Sequence, residues 1–134
     1  MRKHAKKALR DLNLYSDWNR LVQNSSLDTS GKSVELGTYL KMLHADDVYV
    51  KRLAARAMFH EKLADKDLID AAAKNLNAMY MQEGLDAQGQ DTAAWLCKAI
   101  AISKDAEHKK LLREVGQDSP YKKIRKYARK YAAN

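Results

Sequence analysis

Four histidines, one cysteine and two tryptophans are the first side chains in this 134-residue sequence to test for chemistry. His4, His44, His60 and His108 lie 40, 16 and 48 residues apart, without the short return spacing that a metal site uses. The nearest acids, Asp46 near His44 and Glu61 beside His60, fall on adjacent faces or helix ends rather than a turn away, so they do not orient an imidazole as a general base. All four histidines read as surface or capping groups. Cys97 sits between Leu96 and Ile100 on an apolar stripe and reads as a small core residue rather than a nucleophile. As the single cysteine it can form no disulfide within the chain, and no paired-cysteine zinc spacing exists. Glycine-rich phosphate loops and nucleophile elbows are also missing. No catalytic, cofactor-binding or metal-binding residue is assigned, and the chain is read as non-enzymatic.

The remaining chemistry is charge. Residues 1–10 hold five basic side chains and residues 121–134 hold six, with no acid in either stretch. Between them stand 14 basic and 17 acidic residues, so the net charge of +8 comes from the two ends. Near the second end, Tyr121, Tyr127 and Tyr131 interleave with Lys122, Lys123, Arg125, Lys126, Arg129 and Lys130, as nucleic-acid binding favours. Tyr127 and Tyr131 also extend an apolar stripe that begins at Ile124, and core packing is the better account of them. Trp95 stands off its stripe beside Leu96, where packing against a neighbouring element is preferred to a partner anchor.

Those side chains require helices to hold them. Five Gly and one Pro are few for this length, and apolar residues recur at three- and four-residue spacing. One stripe is Val50, Leu53, Ala54, Ala57 and Met58; another is Ile69, Ala72, Ala73, Leu76, Met79 and Tyr80. Ala93, Leu96, Cys97 and Ile100 make a third, followed by Leu111, Leu112 and Val115, then Ile124, Tyr127, Ala128 and Tyr131. Asp46 or Asp47, Asp67, Asp91 and Asp105 are read as N-caps, and Ser119 followed by Pro120 as the clearest helix start. Gly84 and Gly89 bracket a connection, and NSSLDTSGKS at residues 24–33 is read as a mobile loop. One domain of this size buries a substantial core. Nowhere do eighteen uncharged apolar residues run together, and no apolar segment follows the basic N-terminus. The expectation is a soluble, cytoplasmic protein without membrane attachment; a leader removed ahead of Met1 is left open.

An internal pattern organises these helices. RKHAKKAL (residues 2–9) aligns with RKYARKYA (residues 125–132); KRLAARAM (residues 51–58) shares the register, and AWLCKAI (residues 94–100) follows with Leu96 at the alanine position. Ala5, Ala54, Leu96 and Ala128 are then equivalent, at separations of 49, 42 and 32 residues, around the roughly 40–47-residue period of paired-helix solenoids. Asp47 with Val50, Lys51, Ala54 and Ala57, and Asp118 with Ile124, Arg125 and Ala128, resemble the second helix of HEAT repeats. The resemblance covers residues 46–134; residues 11–45 match it poorly.

This resemblance implies an all-α, short right-handed α-α superhelix of about three helix pairs plus a leading helix at residues 2–12, which caps the first pair. It further implies no intrinsic catalysis and a partner bound along one face, with second helices on the concave side. Those second helices carry Lys51, Arg52, Arg56, Lys62 and Lys98, so the concave side is expected to be positive. The partner-binding residues read from this are Lys51, Arg52, Arg56, Lys98, Lys122, Lys123 and Lys126. The expected partner is an acidic protein. Sequence-nonspecific nucleic acid is the alternative on the same groups, and self-association through the terminal helices is a third reading.

Overall fold

A computed structural model describes residues 3–24 and 32–133. Its regular structure is helical throughout: α1 (Lys3–Asp11), α2 (Tyr15–Asn24), α3 (Lys32–His44), α4 (Val48–Glu61), α5 (Lys66–Met79), α6 (Ala87–Ile100), α7 (Ala106–Asp118) and α8 (Lys122–Ala132). A 3-10 turn, Ala101–Ser103, joins α6 to α7. The all-α expectation holds. One helix more than expected is present, because Leu14, Trp18 and Leu21 repeat at helical spacing and are buried, which makes α2 a packed element. Of the segment read as a mobile loop, residue 24 closes α2, residues 32 and 33 open α3, and residues 25–31 lie outside the described residues.

Short aspartates start the central helices by accepting backbone N–H groups that have no partner within the helix. Asp47 accepts from Tyr49 and Val50 at α4, Asp65 from Leu68 at α5, Asp86 from Gly89 at α6 and Asp105 from Glu107 at α7. Two expected caps are therefore displaced. Asp67 lies inside the first turn of α5, where its charge suits the helix dipole, and Asp91 lies beyond the first turn of α6, facing other helices. Gly89 is likewise within α6, and only Gly84, at φ 68°, belongs to the connection. The start expected at Ser119 also moves. Helix α8 begins at Lys122 because the buried Ser119 hydroxyl donates to the Tyr80 carbonyl at 2.8 Å, and its oxygen accepts from Tyr121 N–H at 3.3 Å. Ser119 and Tyr121 thereby dock this turn on the α5–α6 connection, where Tyr121 Oη accepts from Leu85 N–H at 2.9 Å and donates to the Gln82 carbonyl.

The helices pack in two rows. Helices α1, α4, α6 and α8 touch in succession; α3, α5 and α7 form the second row, each packed on a helix of the first, and α2 contacts α1 and α3. Between the rows lies one core containing Leu9, Met42, Leu43, Met58, Leu68, Ile69, Leu76, Leu96, Ile100, Leu112 and Ile124. Ala54 and Ala128 are both fully buried. Small side chains there let helices approach while larger neighbours fill between them. Ala128 faces Gly116 of α7, the helix with which α8 is paired. No helix among the described residues is long and apolar enough to cross a membrane.

Candidate functional site: a basic and aromatic face on α4, α6 and α8

Three helix stripes make this face. On α6, Asp91, Trp95 and Lys98 follow one another at i, i+4 and i+7, the spacing that puts side chains on one side of a helix. The matching stripes are Arg52, Arg56 and Phe59 on α4, and Lys123, Tyr127 and Tyr131 on α8. Because α6 lies between α4 and α8, its stripe meets both.

Asp91 is the electrostatic centre. Its carboxylate accepts from Arg52 Nε at 2.5 Å and from Lys123 Nζ at 3.0 Å, so one anion fastens three helices. Burial alone would raise the Asp91 pKa, but hydrogen bonds from Arg52 and Lys123, with their positive charges, outweigh it and hold the carboxyl below its usual value.

Next to this link is an aromatic cluster. Phe59 meets Trp95 and Tyr131 edge-on, with ring centroids 6.0 Å apart in each case, and His60 lies 5.6 Å from Trp95. Cations crowd the rings. Lys98 Nζ stands 3.9 Å from the Trp95 centroid and 4.7 Å from that of Tyr127, while the Arg56 and Arg52 guanidinium carbons are 5.8 and 5.9 Å from Trp95. These are cation–π distances, and they orient flexible side chains without neutralising them. Arg56 and Lys126 are exposed, and Lys98 is half-buried.

The seven residues expected to bind a partner therefore divide. Arg52, Arg56, Lys98 and Lys123 come together on the three-helix face, Lys126 flanks it 5.6 Å from the Tyr127 ring, and Lys122 is exposed in the first turn of α8. Lys51 turns toward α5, where its ammonium donates to Asn75 Oδ1 while Asn75 Nδ2 donates to the Leu43 and Ala71 carbonyls. Burial lowers the pKa of Lys51, with Asp46 opposing. Tyr127, Tyr131 and Trp95 pack on the core as expected and also form the floor of the face.

Asp91, Phe59 and His60 are the members that sequence reasoning missed. The i, i+4, i+7 order of Asp91, Trp95 and Lys98 carried the signal, hidden by reading Asp91 as a cap.

A second polar line involves His108. Its Nδ1 is 2.8 Å from Ser103 Oγ and its Nε2 is 3.5 Å from Asp70 Oδ1, joining α5, the 3-10 turn and α7. Ser103 Oγ is also 3.1 Å from the Ile100 carbonyl and accepts from Asp105 N–H at 3.3 Å. With its hydroxyl donating to the Ile100 carbonyl and its oxygen accepting from Asp105 N–H, Ser103 serves the turn. Among the described residues no three metal-ligating side chains converge.

Comparison of the chain with protein-family models, curated proteins and solved structures finds no match. Fold and face together define an all-α protein with a cationic, aromatic-floored surface spanning three helices.

Proposed function

We propose that the chain is a short HEAT-like α-α superhelix acting as a non-enzymatic adaptor, which takes an acidic protein segment across the row formed by α1, α4, α6 and α8. Segregation of charge carries this reading. The four helices of that row contain fourteen Lys and Arg against three Asp and Glu, whereas α3, α5 and α7 contain seven against six. A field so one-sided steers an anionic partner to one side of the molecule. Two packed rows whose sequential helices pair, α3 with α4, α5 with α6 and α7 with α8, support the superhelix. In this reading Arg56, Lys98, Lys122 and Lys126 meet the partner, while Lys51, Arg52 and Lys123 hold the helices that present them.

An acidic polypeptide is favoured over nucleic acid because the protein's own cations occupy the ring faces. Base stacking needs an open aromatic platform, and Lys98 lies over both Trp95 and Tyr127.

The test is titration of the full chain with an oligoglutamate peptide and a single-stranded oligonucleotide of equal charge, each at low and moderate salt. Tighter binding of the peptide, weakened about tenfold or more by combined Arg56→Glu and Lys126→Glu, is the expected outcome. Lys123 is a poor choice for reversal, since changing it also breaks the Asp91 link. Peptide binding unaffected by the double reversal would remove this face from consideration. An oligonucleotide bound more tightly, with a steep salt dependence, would replace the adaptor with a phosphate-backbone binder.

A further inference from the structure

We infer a second anion site, for a phosphoryl group, in the groove between α7 and α8. The groove is an open surface depression of about 340 Å³, lined by Arg113, Gly116 and Gln117 of α7, by Arg129 and Ala132 of α8 and by Ala133 just beyond it. Each trio has i, i+3, i+4 spacing, so one face of each helix looks into the same space.

Gly116 sets the geometry. It is buried, and a methyl group at this position would stand 2.8 Å from Arg129 Cγ and 3.4 Å from Arg129 N. The Arg129 stem therefore crosses α7 directly over the glycine backbone, one turn beyond Arg113. Among the described residues neither arginine has an ion-pair partner, and the lining residues include no carboxylate side chain. Arg113 and Arg129, from separate helices, and the Gln117 amide are the hydrogen-bond donors among the lining side chains. A tetrahedral group with three terminal oxygens uses such an arrangement more fully than a planar carboxylate. Ala132 and Ala133 leave room for it. The C-terminal turns of α7 and α8 each contribute a partial negative charge of about half a unit, which the two full positive charges together exceed.

This site is independent of the adaptor reading. Arg129 is two residues from Tyr127, about 200° around the helix, and so faces away from the aromatic stripe.

Titration of the full-length chain with inorganic phosphate at constant ionic strength tests the inference, followed by NMR of the arginine Nε–H groups. Expected are saturating shifts at Arg113 and Arg129 with a dissociation constant of about 1 mM, at least tenfold weaker in R113Q and unchanged in a Lys122→Glu, Lys126→Glu double variant. Shifts that never saturate in the millimolar range, that spread evenly over all arginines, or that survive R113Q and R129Q would overturn it. Should R129Q lose helicity, R113Q decides, because Arg113 is exposed. A phosphoserine peptide and its unphosphorylated twin then distinguish the source: selective binding of the former marks a protein-borne phosphoryl group, and binding of phosphate alone marks a free one.

Discussion

Asp91 shows how much a single side chain carries here, since its carboxylate receives Arg52 from 39 residues upstream and Lys123 from 32 downstream. Asp91→Asn weakens both links and leaves a half-buried guanidinium poorly matched, which should cost about 1–2 kcal/mol in a urea melt. Its pH dependence has a definite sign. A carboxyl held below its usual 3.8 contributes stability that is complete above about pH 5 and is lost as pH falls through the folded value, so the wild-type chain should destabilise in acid more steeply than D91N. Parallel acid limbs for the two proteins would show that Asp91 is not held down. Cys97 makes the complementary case. Fully buried, its thiol is pushed by desolvation up to about 12. Labelling by a thiol reagent at pH 8 should therefore wait for global opening, with a rate that rises with added denaturant. Rapid labelling in native buffer would contradict that burial.

At the scale of elements, small residues decide how closely helices approach. Ala54 is fully buried on α4, whose most extensive packing is against α6, and Ala128 faces Gly116 across the α7–α8 contact. Ala54→Leu and Ala128→Leu each insert three carbons where there is little space, and each should lose about 1–3 kcal/mol by thermal or urea unfolding. The same change at Ala64, exposed between α4 and α5, is expected to be nearly neutral. Equal effects at all three positions would mean that close approach is not what these alanines provide. The existence of α4 to α8 was legible from apolar spacing, because a stripe at three- and four-residue intervals is recorded in local sequence, whereas the short stripe of Leu14, Trp18 and Leu21 at α2 was missed. Helix starts were less so. Asp65 and Asp67 flank the beginning of α5 with equally suitable side chains, and only the acceptance of Leu68 N–H by Asp65 separates cap from first-turn charge.

For the molecule as a whole, α1 covers the free edge of α4. Ala5, Ala8 and Leu9 of α1 are buried, and His4 stacks on Tyr49 of α4 with ring centroids 5.4 Å apart. Deleting residues 1–12 exposes that edge and should lower the melting temperature by roughly 5–15 °C while the remaining helices persist by circular dichroism. An unchanged melt would make α1 a loosely attached helix. The candidate face was partly visible in the sequence, in its cations and in Trp95. Its grouping was not, since nothing local tells Arg56, left exposed beside Trp95, from Lys51, turned into a polar contact with Asn75.

By itself the sequence determined that this chain is helical, where the apolar stripes of α4 to α8 run and that positive charge concentrates at the two ends, because each follows from spacing and composition along one segment. Tertiary structure alone decided which aspartate caps a helix and which joins three, which cations remain exposed and which rings they cover. Those outcomes depend on what stands opposite a helix face. The residues opposite lie tens of positions away, and only the packing of the two rows brings them within hydrogen-bond reach.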